Sequence, residues 1–197
     1  NLTTTSTYSL VSVSSATTPV CTQLISDSAV ITVIPQPTAS ISGTTTICSG
    51  NSATIYFTGT PNAIVTYTVN GGVNQTITLD TVGNASLSTG NISSSEVYNL
   101  LQVSTQTIPS CSQTLSGTAT ISVLPLATAS ISGSSTICYN TSTTINFVGT
   151  PNAIVTYTVN GGSNQTIALD STGNATLNTG NLTSNTTYSL VSVSSAT

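Results

Sequence analysis

The chain has no lysine, arginine, histidine, methionine or tryptophan, and only four acidic residues among 197. Without imidazole or amine side chains there is no histidine-type general base, no Schiff-base nucleophile and no cationic clamp for phosphate. The same absence excludes nucleic-acid binding, which needs a basic face. Serine and threonine abound, but none has a His or Lys partner to activate it, so an enzyme is not expected. Lysine-dependent isopeptide crosslinks cannot form, and a trypsin-like protease has nothing to cut. Aromatics are 5% of the residues, two Phe and seven Tyr. No apolar run approaches the roughly 20 residues that would span a bilayer as a helix. No CxxC, His or Asp-x-Asp cluster offers a metal site, so neither metal nor cofactor is expected.

What is present is hydroxyl and β-branched side chain: 42 Thr and 33 Ser, with Val and Ile dominating the apolar set. That mixture suits a pleated, half-buried sheet rather than disorder. An internal period of 90 residues organises the chain. Thr58 to Asp80 reads TGTPNAIVTYTVNGGVNQTITLD, and Val148 to Asp170 reads VGTPNAIVTYTVNGGSNQTIALD. Residues 38–107 match 128–197 at 46 of 70 positions, and 1–17 match 181–197 at 14 of 17. The expected segments are therefore 1–37, the C-terminal part of one repeat; 38–127, a complete repeat; and 128–197, the N-terminal part of a third. Both ends fall inside a repeat, as expected of a window from a longer array.

Short alternating segments between turn residues predict an all-β fold of tandem seven-stranded β-sandwiches. In the complete repeat the strands fall at Ala39 to Ser42 (A), Ala53 to Thr58 (B), Ile64 to Asn70 (C), Asn74 to Asp80 (C'), Asn84 to Ser88 (E), Val97 to Thr105 (F) and Gly117 to Leu124 (G). Asn70-Gly71-Gly72 and Val82-Gly83-Asn84 supply hairpin turns, and Pro35, Pro37 and Pro125 end ladders between repeats. Alternation places Ile55 and Phe57 inward, with Tyr56, which becomes Asn146, outward. Ala119, Ile121 and Val123 point inward, matched by Ala29, Ile31 and Val33, and Ile77, Leu79, Ala85 and Leu87 complete one side of the core. Tyr98, repeated as Tyr8 and Tyr188, takes a structural position like the tyrosine corner of immunoglobulin-like sandwiches, or simply packs on the core.

The segments GTPNAIVTYTVNGG, NQTITLD, GNASLSTGN and YSLVSVSS resemble the tandem immunoglobulin-like repeats of very large secreted adhesins and gliding-type surface proteins of Bacteroidetes. The resemblance covers the whole chain and implies stacked sandwiches secreted to the cell surface, carrying adhesion or forming a filament. Three of the four acids then stand in an Asp-Ser/Thr pattern, Asp27-Ser28-Ala29, Asp80-Thr81-Val82 and Asp170-Ser171-Thr172. It resembles the O-glycosylation acceptor of that group, with Ser28, Thr81 and Ser171 as the modified hydroxyls; turn capping by Asp is the alternative. N-x-S/T sequons lie at Asn1, Asn74, Asn84, Asn91, Asn140, Asn164, Asn174, Asn181 and Asn185, many of them expected from composition alone. Covalent sugar is also a physical expectation, because a chain with 2% charged residues has little repulsion to keep it dispersed.

The four cysteines form two classes 90 residues apart. Cys48 and Cys138 precede strand B, and Cys21 and Cys111 lie between F and G. Disulfides in an oxidising compartment are expected. Five strands separate Cys48 from Cys111, an odd number that puts them at opposite ends of a sandwich. A strand of six to eight residues spans roughly 20 Å or more, while a disulfide needs Cα atoms within about 7 Å. The preferred pairing is an inter-repeat staple, Cys48 with the cysteine expected 90 residues after Cys111, and Cys111 with one before Asn1. A Cys48–Cys111 bond remains the alternative.

Gapless repeats, short linkers such as Leu124-Pro125-Leu126 and trypsin resistance point to a rigid extracellular stalk or filament on the cell surface. The partners expected are neighbouring repeats, covalent glycans and other copies of the filament, since Thr-rich edges lack protective Lys. Two alternatives stand beside it. One is a pilus or sheath subunit that polymerises by strand addition. The other is a carbohydrate-binding module, against which Tyr56 and Tyr139 count because neither is repeated.

Overall fold

The computed structural model describes residues 2–195; the sequon at Asn1 and the outer limits of the first and third expected segments, Asn1 and Thr197, lie outside the described residues. The described chain is all β, sixteen strands and no helix, and divides into two compact units, Asn1–Val123 and Leu124–Thr197.

The first unit begins with an antiparallel hairpin, β1 (Ser6–Ser14) and β2 (Thr22–Ile31), in which Tyr8 pairs with Ala29 and Leu10 with Asp27. Its other eight strands make two sheets. β3 (Ala39–Ser42), β5 (Thr54–Gly59) and β8 (Asn84–Ser88) form one, in the order β3-β5-β8. β4 (Thr45–Cys48), β6 (Ile64–Val69), β7 (Gln75–Thr78), β9 (Glu96–Ser104) and β10 (Ser112–Leu124) form the other, in the order β4-β10-β9-β6-β7. Between the sheets lies one core. Ile55 and Phe57 enter it from the first, and Val65, Tyr67, Tyr98, Leu100, Val103, Ala119 and Ile121 from the second. Period-2 alternation produces this division, since β5 reads buried at Ile55 and Phe57 and exposed at Tyr56. Leu79 is also enclosed, and Ile77, Ala85, Leu87 and Val123 pack against the cluster while partly exposed.

The second unit holds β11 (Ala129–Ser132), β12 (Thr144–Gly149) and β15 (Asn174–Asn178) in one sheet. β13 (Ile154–Val159), β14 (Gln165–Ala168) and β16 (Tyr188–Ser194) form another, ordered β14-β13-β16. Its core gathers Ile145, Phe147, Ala153, Val155, Tyr157 and Leu169. In both units a Phe meets a Tyr across the core, Phe57 with Tyr67 and Phe147 with Tyr157, each at a ring-centroid distance of 5.2 Å. Such tilted pairs add about 0.5–1.5 kcal/mol to the burial itself.

Three expectations need correction. The complete repeat has eight strands rather than seven, because the segment after Ser42 continues as β4 on the opposite sheet. Gly43 makes the switch: its φ is +111°, and a Cβ there would stand 2.5 Å from the Thr54 carbonyl oxygen. The last strand starts at Ser112, not Gly117, since the β9–β10 ladder runs on past a register shift between Thr114 and Gly117. Ala29 and Ile31, expected inside, are exposed, because β1 and β2 form a sheet of their own.

Candidate functional site

Cys48, Cys111, Asp80 and Asp170 sit at the ends of the sheets. The register assigns those ends. Ala39 pairs with Gly59, Ile64 with both Thr78 and Ser104, and Ser112 with Ser104. The turns 60–63, 79–83 and 105–111 therefore share the end at which the repeat begins. At the other end Thr54 pairs with Ser88, Val69 with Tyr98, and Ile121 with Glu96. The turns 49–53, 70–74 and 89–95, and the exit at Leu124, gather there.

Cys48 lies at the exit end, where the Gly50 amide donates to the Ile92 carbonyl at 2.8 Å. Cys111 lies at the entry end, its carbonyl accepting from the Thr105 amide at 2.9 Å. The nine residues of β9 stand between those ends, roughly 26 Å at the usual rise per residue. A Cys48–Cys111 bond does not fit that separation. Cys21, Cys48 and Cys138 are exposed, Cys111 is half-buried, and among the described residues no disulfide joins any two of them.

Asp80 and Asp170 close the turn before the next strand. The Asp80 carboxylate accepts from the amides of Val82 and Asn84 at 2.9 and 2.8 Å. Asp170 accepts likewise from Thr172 and Asn174 at 2.8 and 2.9 Å, and from the Thr172 hydroxyl at 2.7 Å. The Asn174 amide, then the Thr172 hydroxyl and amide, hold the Asp170 carboxyl below the usual carboxylate range. Turn capping by Asp is thus a geometric fact here. It leaves Thr81 and Ser171 exposed next to a fixed acid. Ser28 differs, standing in mid-strand opposite Ser9, with its amide donating to the Asp27 carboxylate at 2.9 Å. Asn74, Asn84, Asn164 and Asn174 are all exposed, although the Asn174 side-chain amide already donates to the Thr172 hydroxyl at 2.9 Å.

Tyr98 is buried and lies 6.4 Å from Tyr67 between ring centroids. Its hydroxyl donates to the Glu96 carboxylate at 2.6 Å, two residues upstream, and not to backbone as in a tyrosine corner. Burial first, then the Glu96 hydrogen bond and charge, raise its pKa. Position 186 is Thr, so Tyr188 has no such partner and keeps only its packing 6.4 Å from Tyr157. Tyr8 is exposed on β1.

The turn asparagines do more than the sequence suggests. Asn70 has φ +53° and both gives and takes a bond with Val97: its amide donates to the Val97 carbonyl, and its side chain accepts from the Val97 amide, each at 2.8 Å. Asn160 repeats this with Thr187. The recurrence of Asn, where Gly would equally serve the turn, is the signal that could have revealed the clamp.

Tyr56 is half exposed beside a shallow depression lined by Thr58, Asp80, Asn84 and Ser86, and Tyr139 is 78% exposed. Asn146 removes the first aromatic from the equivalent place in the second unit. Among the described residues no group of three or more His, Cys, Asp or Glu could hold a metal ion, and no helix is long and apolar enough to cross a membrane.

No protein-family model matches the chain, and comparison with the curated proteins gives no match. Among solved structures the chain is similar to a marsupial T cell receptor, with 12% identity and a TM-score of 0.45. The match covers 75% of this chain and 63% of that one.

Proposed function

We propose that the chain is a stalk or filament segment of a large, glycosylated extracellular surface protein, built from immunoglobulin-like β-sandwich repeats of 90 residues and projecting an adhesive or motility element from the cell. The observation that supports this reading is that the complete repeat is entered at Ala39 and left at Leu124 from opposite ends of its sheets. A unit with that property adds length with every copy. A short connection such as Leu124-Pro125-Leu126 leaves little slack between copies.

On the same reading, Cys48 at the exit end faces the entry-end cysteine of the following repeat in an array, and Cys111 faces the exit-end cysteine of the preceding one. Such staples would resist bending at every junction. O-linked sugar on Thr81 and Ser171 would supply the hydration that a chain with four charges lacks. The resemblance of the repeats to Bacteroidetes surface adhesins fits both features.

Peptide mapping under non-reducing conditions, with pepsin on natively isolated material, tests the proposal. The expected result is a crosslinked pair joining the Cys48 peptide to one from the next repeat, with a hexose-type mass increment on the peptide holding Thr81. Free thiols at both positions together with a bare Thr81 would leave neither stiffness nor solubility explained and would sink it.

A further inference from the structure

Asn-Gly occurs at two places in the sequence, Asn70-Gly71 and Asn160-Gly161, one repeat apart. In this dipeptide the asparagine side chain is most open to attack from its own backbone, because no side chain shields the glycine nitrogen. Both copies are exposed, and a Cβ added at Gly71 or Gly161 would meet nothing within 4 Å. The fold nevertheless holds the reacting atoms apart. Asn70 and Gly71 have φ +53° and +68°, Asn160 and Gly161 +52° and +70°, and the Gly72 and Gly162 amides donate to the Val69 and Val159 carbonyls at 2.9 Å. These are type I' turns, whose first central residue has a ψ of about +30°. At that angle the Gly71 nitrogen stands nearly anti to the Asn70 Cβ across the Cα–C bond, and no ring can close between them. Val97 keeps the residue there: the Asn70 amide donates to its carbonyl and the Asn70 Oδ1 accepts from its amide, each at 2.8 Å. Thr187 does the same for Asn160, again at 2.8 Å.

We propose that each of these turns is a single-use latch, closed in the folded repeat and lost by deamidation of Asn70 or Asn160 once it opens. When the bonds to Val97 part and ψ swings round, the Gly71 amide gives its proton to hydroxide and its nitrogen bonds to the Asn70 Cγ. The side-chain nitrogen leaves as ammonia, taking a proton from water, and a five-membered succinimide remains. Water then opens the ring at one of its two carbonyls. Attack at Cγ breaks the bond from that carbon to the Gly71 nitrogen and leaves aspartate at position 70. Attack at the main-chain carbonyl breaks its bond to the same nitrogen and leaves the chain joined through Cγ, as isoaspartate.

The two products differ in whether the latch closes again. Aspartate keeps the ordinary backbone and a side-chain oxygen for the Val97 amide. Isoaspartate adds a methylene to the main chain and replaces the turn carbonyl by a free carboxylate, so the turn closed by the Gly72 amide and the Val69 carbonyl no longer fits. Loop length fixes hairpin register, and Val69 is the last residue of β6 paired with β9, opposite Tyr98. Opening there therefore becomes permanent at the exit end of the β6–β9 ladder. Each event also adds a negative charge to a chain that has four acids and no base.

Incubation of the 197-residue chain at mildly alkaline pH, folded and in urea, followed by pepsin mapping with mass spectrometry, tests the proposal. In urea Asn70 and Asn160 should convert ahead of every other asparagine. In the folded chain conversion should be slower by roughly ten- to a hundred-fold, the cost of opening two hydrogen bonds. Hydrogen exchange of the Val97 amide should show the same protection, since one local opening exposes both groups. Isoaspartyl chains separated by ion exchange should have lost that protection, while the Asn70→Asp variant keeps it. Equal rates in the folded and urea-unfolded chains would overturn the inference. So would conversion out of step with Val97 exchange, or isoaspartyl chains whose Val97 amide stays protected. None of these outcomes depends on whether the chain serves as a stalk.

Discussion

Phe57→Ala is expected to lower the stability of the first unit by about 3–5 kcal/mol, the usual range for deleting a buried aromatic. Phe57 is fully enclosed, reaches across from the three-stranded sheet, and meets Tyr67 at 5.2 Å. Its partners are held by two ladders each, so the sheets cannot close over the void without breaking register. A domain of this size changes its midpoint by about 4–8 °C per kcal/mol, so the loss would consume much of a typical total of 5–15 kcal/mol. Differential scanning calorimetry should show one transition falling by tens of degrees while that of the second unit, built on Phe147, stays in place. A shift of only a few degrees would mean that the core can repack around the missing ring.

Gly83→Ala should be comparably damaging, for a different reason. Gly83 has φ +87°, and a Cβ on it would stand 2.1 Å from the Gly59 carbonyl oxygen. Gly59 in turn would place a Cβ 2.1 Å from the Thr38 carbonyl oxygen. Three backbones are stacked at the entry end, tied by bonds from the Gly59 amide to the Gly83 carbonyl and from the Thr60 amide to the Thr38 carbonyl. Since the obstacles are backbone atoms, no side chain can swing aside. Left-handed strain of about 1–2 kcal/mol and overpacking of about 1–3 kcal/mol add to a loss of about 2–5 kcal/mol. Gly90→Ala is the control: its φ is +66° but nothing lies within 4 Å, so only the strain applies. Chemical denaturation should rank Gly83→Ala well below Gly90→Ala; equal losses would show that sterics at the entry end do not matter.

Much of the strand pattern was legible because it rests on local signals. Ala39–Ser42 and Asn84–Ser88 have the bounds that alternation and turn residues predict, and the inward positions Ile55, Phe57, Ala119 and Ile121 are buried. What escaped depends on partners distant in sequence. Thr45–Cys48 is a strand only because β10 lies beside it, as the unstructured STIC of the second unit demonstrates. Ala29 and Ile31 carry the core pattern but are exposed on the β1–β2 hairpin, which has no facing sheet among the described residues. The hydroxyl of Tyr98 found Glu96, an acid the neighbouring repeats do not have, where a family pattern points to backbone. Five strands, β5 to β9, lie between Cys48 and Cys111, the number that strand parity used; the missed strand, β4, ends at Cys48 and falls outside that count.

The proposed stalk requires that a repeat entered and left at opposite ends adds length with each copy. Small-angle X-ray scattering on the reduced chain tests it most directly. A compact globule of 197 residues has a radius of gyration of about 16 Å. Repeats laid end to end, with strands rising roughly 3.3 Å per residue, reach about 90 Å and a radius of gyration of about 26 Å. The account predicts the larger value with a rod-like distance distribution; a value near that of the globule would mean that the repeats fold back on one another, and would contradict it.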